Sequence, residues 1–273
     1  MSWWAIRVQA EGAESDRVAA WLVEHTGQAV EQTERGVVGF VEAGDDAVRT
    51  AAALRDAFAL DAACERVAET DWTVRWRDGL GARTIGRLMV TPSWLPGASP
   101  GPARVVLDPE NAFGSGEHGS TRGALTLLER HVRSADRVLD LGSGSGILAI
   151  AAVRLGAARA VGIENDADAN VVARRNADRN EVGARVSFVD GDAGELAPLV
   201  GPADLVLSNI LRNVNVLLLP AIVSALRPDG LAIFAGMEAS EAELFRPALA
   251  AATLHEIDDA TDAGWWAVVA RRP

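Results

Sequence analysis

Apolar and polar residues alternate from Trp3 to Val8, the period of a half-buried strand. From Ser15 to His25 the period lengthens: Val18, Trp21 and Leu22 recur at helical spacing. Ala29 to Thr33 and Gly36 to Val41 alternate again and predict a hairpin joined near Glu34-Arg35. Asp45 to Phe58 reads as a second helix, and Ala62 to Ala68 as a last strand. The resulting order, β-α-β-β-α-β, predicts a small α+β ferredoxin-like domain over residues 1–68.

Residues 69–102 break the pattern and predict an inter-domain linker. The segment carries Trp72, Trp76 and Trp94, and runs through Thr91-Pro92-Ser93-Trp94-Leu95-Pro96 into the Gly/Pro/Ser stretch Gly97 to Pro102. Packing between domains is the simplest use for these tryptophans.

From Ala103 to Pro273 short apolar runs alternate with helical segments. Strands are predicted at Arg137 to Leu141, Ala160 to Glu164, Arg185 to Val189, Asp204 to Ser208 and Leu231 to Ala235. Helices are predicted at Ile147 to Leu155, Ala167 to Asn180, Val214 to Leu226 and Glu241 to Ala251. Thr253 to Asp258 and Trp265 to Arg271 can close the sheet as an antiparallel pair. Such alternation predicts a doubly wound, Rossmann-like α/β domain over residues 103–273.

Composition narrows the function. The net charge of -12 disfavours a nucleic-acid binder, which needs a basic footprint, and suits a basic protein partner. All 26 Lys+Arg residues are arginine and tyrosine is absent, so neither lysine nor tyrosine can serve as a general base or Schiff-base former. One cysteine, Cys64, excludes an internal disulfide and a cysteine metal cage. No basic-then-apolar leader and no membrane-length apolar run is seen, so a cytoplasmic protein, free of membrane, is expected.

The chemistry gathers at strand ends. Asp140-Leu141-Gly142-Ser143-Gly144-Ser145-Gly146 follows a strand and opens a helix, the context in which such loops hold a nucleotide-bearing cofactor. Missing side chains let backbone approach the ligand, and free amides at the helix start point toward it. Position 147 is Ile where a dinucleotide fingerprint wants Gly or Ala, which favours S-adenosylmethionine (SAM) over NAD. A tight turn that binds nothing is the competing reading of the loop alone. Glu164 ends the next strand, where a carboxylate can accept from both ribose hydroxyls. Asp192 and Ala193 follow the third strand and are placed for an adenine ring, or else form an acidic turn. Asn209 ends the fourth; its amide oxygen can accept from an amine, unless it is a turn or helix cap. Ahead of these lies Asp108 to Thr121, glycine-rich, with Phe113 able to cover a cofactor and His118 nearby, or a plain connector. No metal site is expected.

The segment Asp108 to Thr121, the loop Asp140 to Leu148 and Asn209-Ile210-Leu211 together resemble the ribosomal protein L11 methyltransferases (PrmA). Asp71-Trp72, Trp76 and Pro92-Ser93-Trp94 resemble that family's inter-domain segment. The resemblance implies a class I SAM-dependent methyltransferase domain, with Thr121, Gly142, Glu164 and Asn209 on SAM-contacting positions. It also implies substrate recognition by the N-terminal domain, and a ribosomal protein as the basic partner; a monomer is expected. Four departures stand out. His118-Gly119-Ser120-Thr121 replaces the usual His-Pro-Thr-Thr, Gly142-Ser143-Gly144 replaces Gly-Cys-Gly, and Glu164 replaces Asp. Arg212-Asn213-Val214 stands where Ala-Gly-Pro is common, near the expected substrate entrance.

The implied reaction is methyl transfer to a lysine side chain or N-terminal amine. Holding an unprotonated amine in line supplies most of the catalysis, with Asn209 orienting it and His118 or water taking the proton. Another protein's lysine or, against the charge, an RNA are the alternative substrates.

Overall fold

The computed structural model describes residues 3–10, 12–26, 28, 30–33, 36–67 and 80–273. The expected hairpin turn Glu34-Arg35, and Ala29, Ala68, Asp71, Trp72 and Trp76, lie outside these. The chain divides into two compact units, Met1–Gly79 and Leu80–Pro273.

The first unit runs β1 (Trp4–Val8), α1 (Ala13–Thr26), β2 (Glu31–Thr33), β3 (Gly36–Val41), α2 (Gly44–Phe58) and β4 (Ala62–Arg66). Its sheet has the order β2-β3-β1-β4, antiparallel throughout. The alternation seen in the sequence has its cause here: Ile6 and Val8 of β1 pack with Val18 and Leu22 of α1 and Leu54 of α2 in one core. Polar Arg7 lies between them and pairs with Glu65 on β4.

The second unit opens inside the region expected to be linker. β5 (Arg83–Ile85) and β6 (Leu88–Thr91) form a hairpin, and β7 (Arg104–Val106) joins it in parallel. Residues 80–102 therefore belong to the second unit. Their apolar residues Ile85, Leu88 and Val90 are buried with Leu125 and Ile150 of the following helices, so this hairpin closes the core instead of spanning a gap. Trp94 is half-buried within the same unit.

The elements that follow are α3 (Gly119–His131), β8 (Arg137–Leu141), α4 (Ile147–Leu155), β9 (Arg159–Glu164), α5 (Ala167–Arg179) and β10 (Val186–Asp190). Then come α6 (Ala193–Val200), β11 (Ala203–Asn209), α7 (Arg212–Ala225), β12 (Leu226–Glu238), α8 (Ala242–Ala251), β13 (His255–Asp262) and β14 (Trp265–Arg271). The sheet order is β10-β9-β8-β11-β12-β14-β13. Five strands are parallel, and β14 and β13 close the sheet antiparallel. The core on one face includes Leu125, Ile150 and Ala173, from α3, α4 and α5. The opposite core includes Ala197, Leu218 and Phe245, from α6, α7 and α8. This is the doubly wound sheet expected. The strand order reverses between β8 and β11, and a crevice opens at the carboxyl ends of strands where that happens. Among the described residues no helix is long and apolar enough to cross a membrane.

Candidate active site

A cavity of about 490 Å³ lies at these carboxyl ends, within the usual range for small-molecule sites. Phe113, His118, Gly142, Gly144, Glu164, Asp192, Ala193 and Asn209 all line it. Thr121, Asp140 and Gly146, also expected at the ligand, do not line it.

The loop after β8 is held from β9. Gly142 and Gly144 take φ of +68° and +50°, which a side chain disfavours. Gly142 N donates to Ile163 O at 2.9 Å, and Gly144 N to Glu164 Oε2 at 2.9 Å. Glu164 Oε1 accepts from Asn165 N at 3.0 Å and Asp166 N at 3.2 Å. Three of a carboxylate's roughly four acceptor positions are thus filled. One remains for a ligand hydroxyl; taking both ribose hydroxyls requires an amide contact to give way.

Asp192 caps α6, its Oδ1 accepting from Gly194 N at 2.7 Å and Glu195 N at 3.1 Å. It is therefore an acidic turn residue and a cavity residue at once, and among the described residues no hydrogen bond reaches its Oδ2. Asn209 is neither turn nor cap: it ends β11, and Leu211 occupies the N-cap of α7. Its Nδ2 donates to Thr121 Oγ1 at 3.3 Å, while Oδ1 is buried without a partner. Such an acceptor is costly to bury unless a ligand meets it.

Gly146 is required by packing, since φ is +80° and a Cβ would lie 2.7 Å from Phe188 Cζ. Thr121 is fully buried and acts on Asn209. Asp140 is buried at the start of the loop, its Oδ2 accepting from Ala149 N at 3.0 Å and its Oδ1 unpartnered. Burial, against the Ala149 bond and with a smaller push from Glu164, raises its carboxyl to about 7. The folded state then holds a proton that the unfolded chain releases near pH 4. That stabilisation is complete below the unfolded value and is lost as pH rises through about 7. Asp140→Asn should flatten the fall in Tm over this interval; parallel curves for wild type and variant would contradict the assignment.

The aromatic side of the cavity was only half legible. His118 Nδ1 lies 2.8 Å from Ser120 Oγ. Its ring stands 5.7 Å from Phe113 and 4.3 Å from Trp265, centroid to centroid. Trp265 reaches the cavity from the start of β14, 147 positions downstream of His118, and it carried no sequence signal beyond opening a strand. Gly119 has its reason here: a Cβ would meet Asp262 O at 2.6 Å and Trp265 Cδ1 at 2.8 Å. Arg212 pairs with Glu241 at 2.9 Å and neither lines the cavity, whereas the preceding Leu211 does and is 64% exposed. Among the described residues no cluster of His, Cys, Asp and Glu could hold a metal.

The family model described as "Ribosomal protein L11 methyltransferase (PrmA)" matches residues 31–273. A ribosomal protein L11 methyltransferase of Chloroflexus aurantiacus is 40% identical over 233 residues, covering 76% of this chain and 70% of its own. One from Symbiobacterium thermophilum is 36% identical over 261 residues, covering 94% and 81%. A crystal structure of a ribosomal protein L11 methylase from Lactobacillus delbrueckii subsp. bulgaricus superposes with a TM-score of 0.63 at 28% identity. That match covers 71% of this chain and all of the other. The cofactor of this fold is SAM, and the residues fit it: a glycine cradle, a strand-end carboxylate with acceptor capacity left, and Asn209, whose amide oxygen is orphaned, line one cavity. The chain belongs to the ribosomal protein L11 methyltransferase family, with the class I SAM-dependent methyltransferase fold.

Proposed function

We propose that the chain methylates lysine side-chain amines, an N-terminal amine, or both, on ribosomal protein L11. The observation that carries the nitrogen assignment is Asn209, which lines the cavity beside the glycine loop and whose Oδ1 is buried with no partner. The relatives' activity supports the choice of protein. The chain's charge of -12 supports a basic partner over RNA.

SAM, when bound, supplies an electrophilic methyl group on a sulfonium. Gly142, Gly144, Glu164, Asp192 and Ala193 would hold it, with Phe113 as cover. Asn209 accepts a hydrogen from the incoming amine and aims its lone pair, so that positioning carries the rate. The apolar wall strips water from the amine, which favours its neutral, nucleophilic form. His118, whose Nδ1 lies 2.8 Å from Ser120 Oγ, or water takes the proton released. Thr121 acts behind Asn209 as a tether and Asp140 behind the loop. The N-terminal unit, with its own core, is assigned to recognising the substrate protein, and the enzyme to acting as a cytoplasmic monomer.

Incubation with methyl-labelled SAM and total ribosomal components tests this. Label should enter L11 and resist ribonuclease. Label confined to RNA or to another protein would overturn the substrate assignment.

A further inference from the structure

Three chain segments make the aromatic wall of the cavity, and one guanidinium ties them. Phe113 and His118 come from the loop before α3, Ser120 from the first turn of α3, and Trp265 from the start of β14. Arg122, one turn into α3, does not line the cavity. Its Nε donates to Asp262 Oδ2 at 2.7 Å and its Nη2 to Asp262 Oδ1 at 2.8 Å, a bidentate pair at the β13–β14 turn. Its Nη1 donates to the carbonyl of Glu117, the residue before His118. Glu117 is held in turn by Arg83 of β5 and by Gly81 N. The Arg122 side chain is 22% exposed, so this fork is partly shielded from solvent. Gly119 lets the turn close on α3 beneath it, as its missing Cβ would strike both Asp262 O and Trp265.

We infer that Arg122 is a positioning residue for methyl transfer: with Asp262 and the Glu117 carbonyl it sets the distance between the His118 and Trp265 rings, and so the shape of the wall against which the acceptor amine is held. This rests on the methyltransferase reading of the cavity. The fork matters beyond its charge, because a planar guanidinium reaches two segments in fixed directions where an ammonium cannot. Arg122 bonds to Asp262 and Glu117 and to none of the glycine loop, Glu164, Asp192 or the cofactor cover Phe113, so cofactor binding should fall far less than turnover.

The test compares wild type with R122K, R122A, D262N and R122K/D262N. It measures kcat and KM on purified L11, the Kd for S-adenosylhomocysteine, and Tm. R122K and D262N should each lower kcat by about tenfold or more, within the range that misplacement of reacting groups produces. The Kd should change by less than about twofold, well inside a 1.4 kcal/mol tenfold step. The double variant should be little worse than either single one, since both remove the same link. Added ethylguanidinium should restore kcat of R122A saturably, which a general folding defect would not allow. Near-wild-type kcat in R122K and D262N overturns the inference, as does parallel loss of kcat, cofactor affinity and Tm with no rescue. A wild-type enzyme that binds the cofactor yet leaves L11 unmodified overturns the functional reading, and this inference with it.

Discussion

Asn209→Ala enzyme is expected to turn over L11 on the order of 10²-fold more slowly than wild type, the scale on which a misplaced reacting group slows a positioned reaction. Cofactor affinity should fall far less. The amide is set between two jobs. Its Nδ2 donates a hydrogen bond to Thr121, which fixes the side chain, and its Oδ1 is left as a buried acceptor without a partner, on a residue that lines the cavity. Alanine removes both the aimed acceptor and the tether. Thr121 loses its partner too, so a stability loss of about 1 kcal/mol should accompany the kinetic one. Asn209→Asp keeps an acceptor at the same place and should retain more turnover than alanine. Single-turnover rates with saturating cofactor separate the two effects. A rate within a few-fold of wild type in Asn209→Ala would mean the amine is oriented by other groups.

Gly144→Ala should damage binding instead. The residue sits at φ +50°, and a Cβ there would stand 2.5 Å from Phe113 O. Phe113 O already accepts from Ser145 N at 2.9 Å, so the two loops are in contact and neither yields alone. The shift also pulls Gly144 N away from Glu164 Oε2, disturbing the carboxylate expected to meet the ribose. Strain of this kind is worth roughly 1–3 kcal/mol, enough for about a tenfold or greater loss of cofactor affinity and a clear drop in Tm. Gly97→Ala is the control, since φ is +77° there but no atom lies within 4 Å. It should show the backbone penalty without the binding loss. Equal S-adenosylhomocysteine affinity in Gly144→Ala and wild type, by calorimetry, would contradict the cradle.

What was legible in the sequence was local in the chain. β8 and α4 have the predicted bounds, because Arg137 to Leu141 and Ile147 to Leu155 are buried runs flanking glycines that no other pattern fits. The glycine loop, Glu164 and Asn209 were legible for the same reason, each being the end of a recognisable strand. What sequence missed depended on distant partners. The β5–β6 hairpin was read as linker because its core contacts, Leu125 and Ile150, lie far along the chain. α6 was missed because Pro198 interrupts its pattern, although Asp192 supplies a cap. Trp265 and the Arg122–Asp262 fork, its partners 140 positions apart, could not be inferred from spacing at all. Gly146 taught the opposite lesson: a glycine inside a binding motif was there for Phe188.

If this cavity methylates amines of L11, the substrate must gain mass. Intact-mass measurement of purified L11 after incubation with the enzyme and SAM, followed by peptide mapping, tests it most directly. Whole methyl increments are expected on lysine side chains or the N-terminal amine, absent when Asn209→Ala replaces the wild type over the same time. An unchanged L11 mass while the enzyme demonstrably binds the cofactor, or methyl groups on atoms other than these nitrogens, would contradict it.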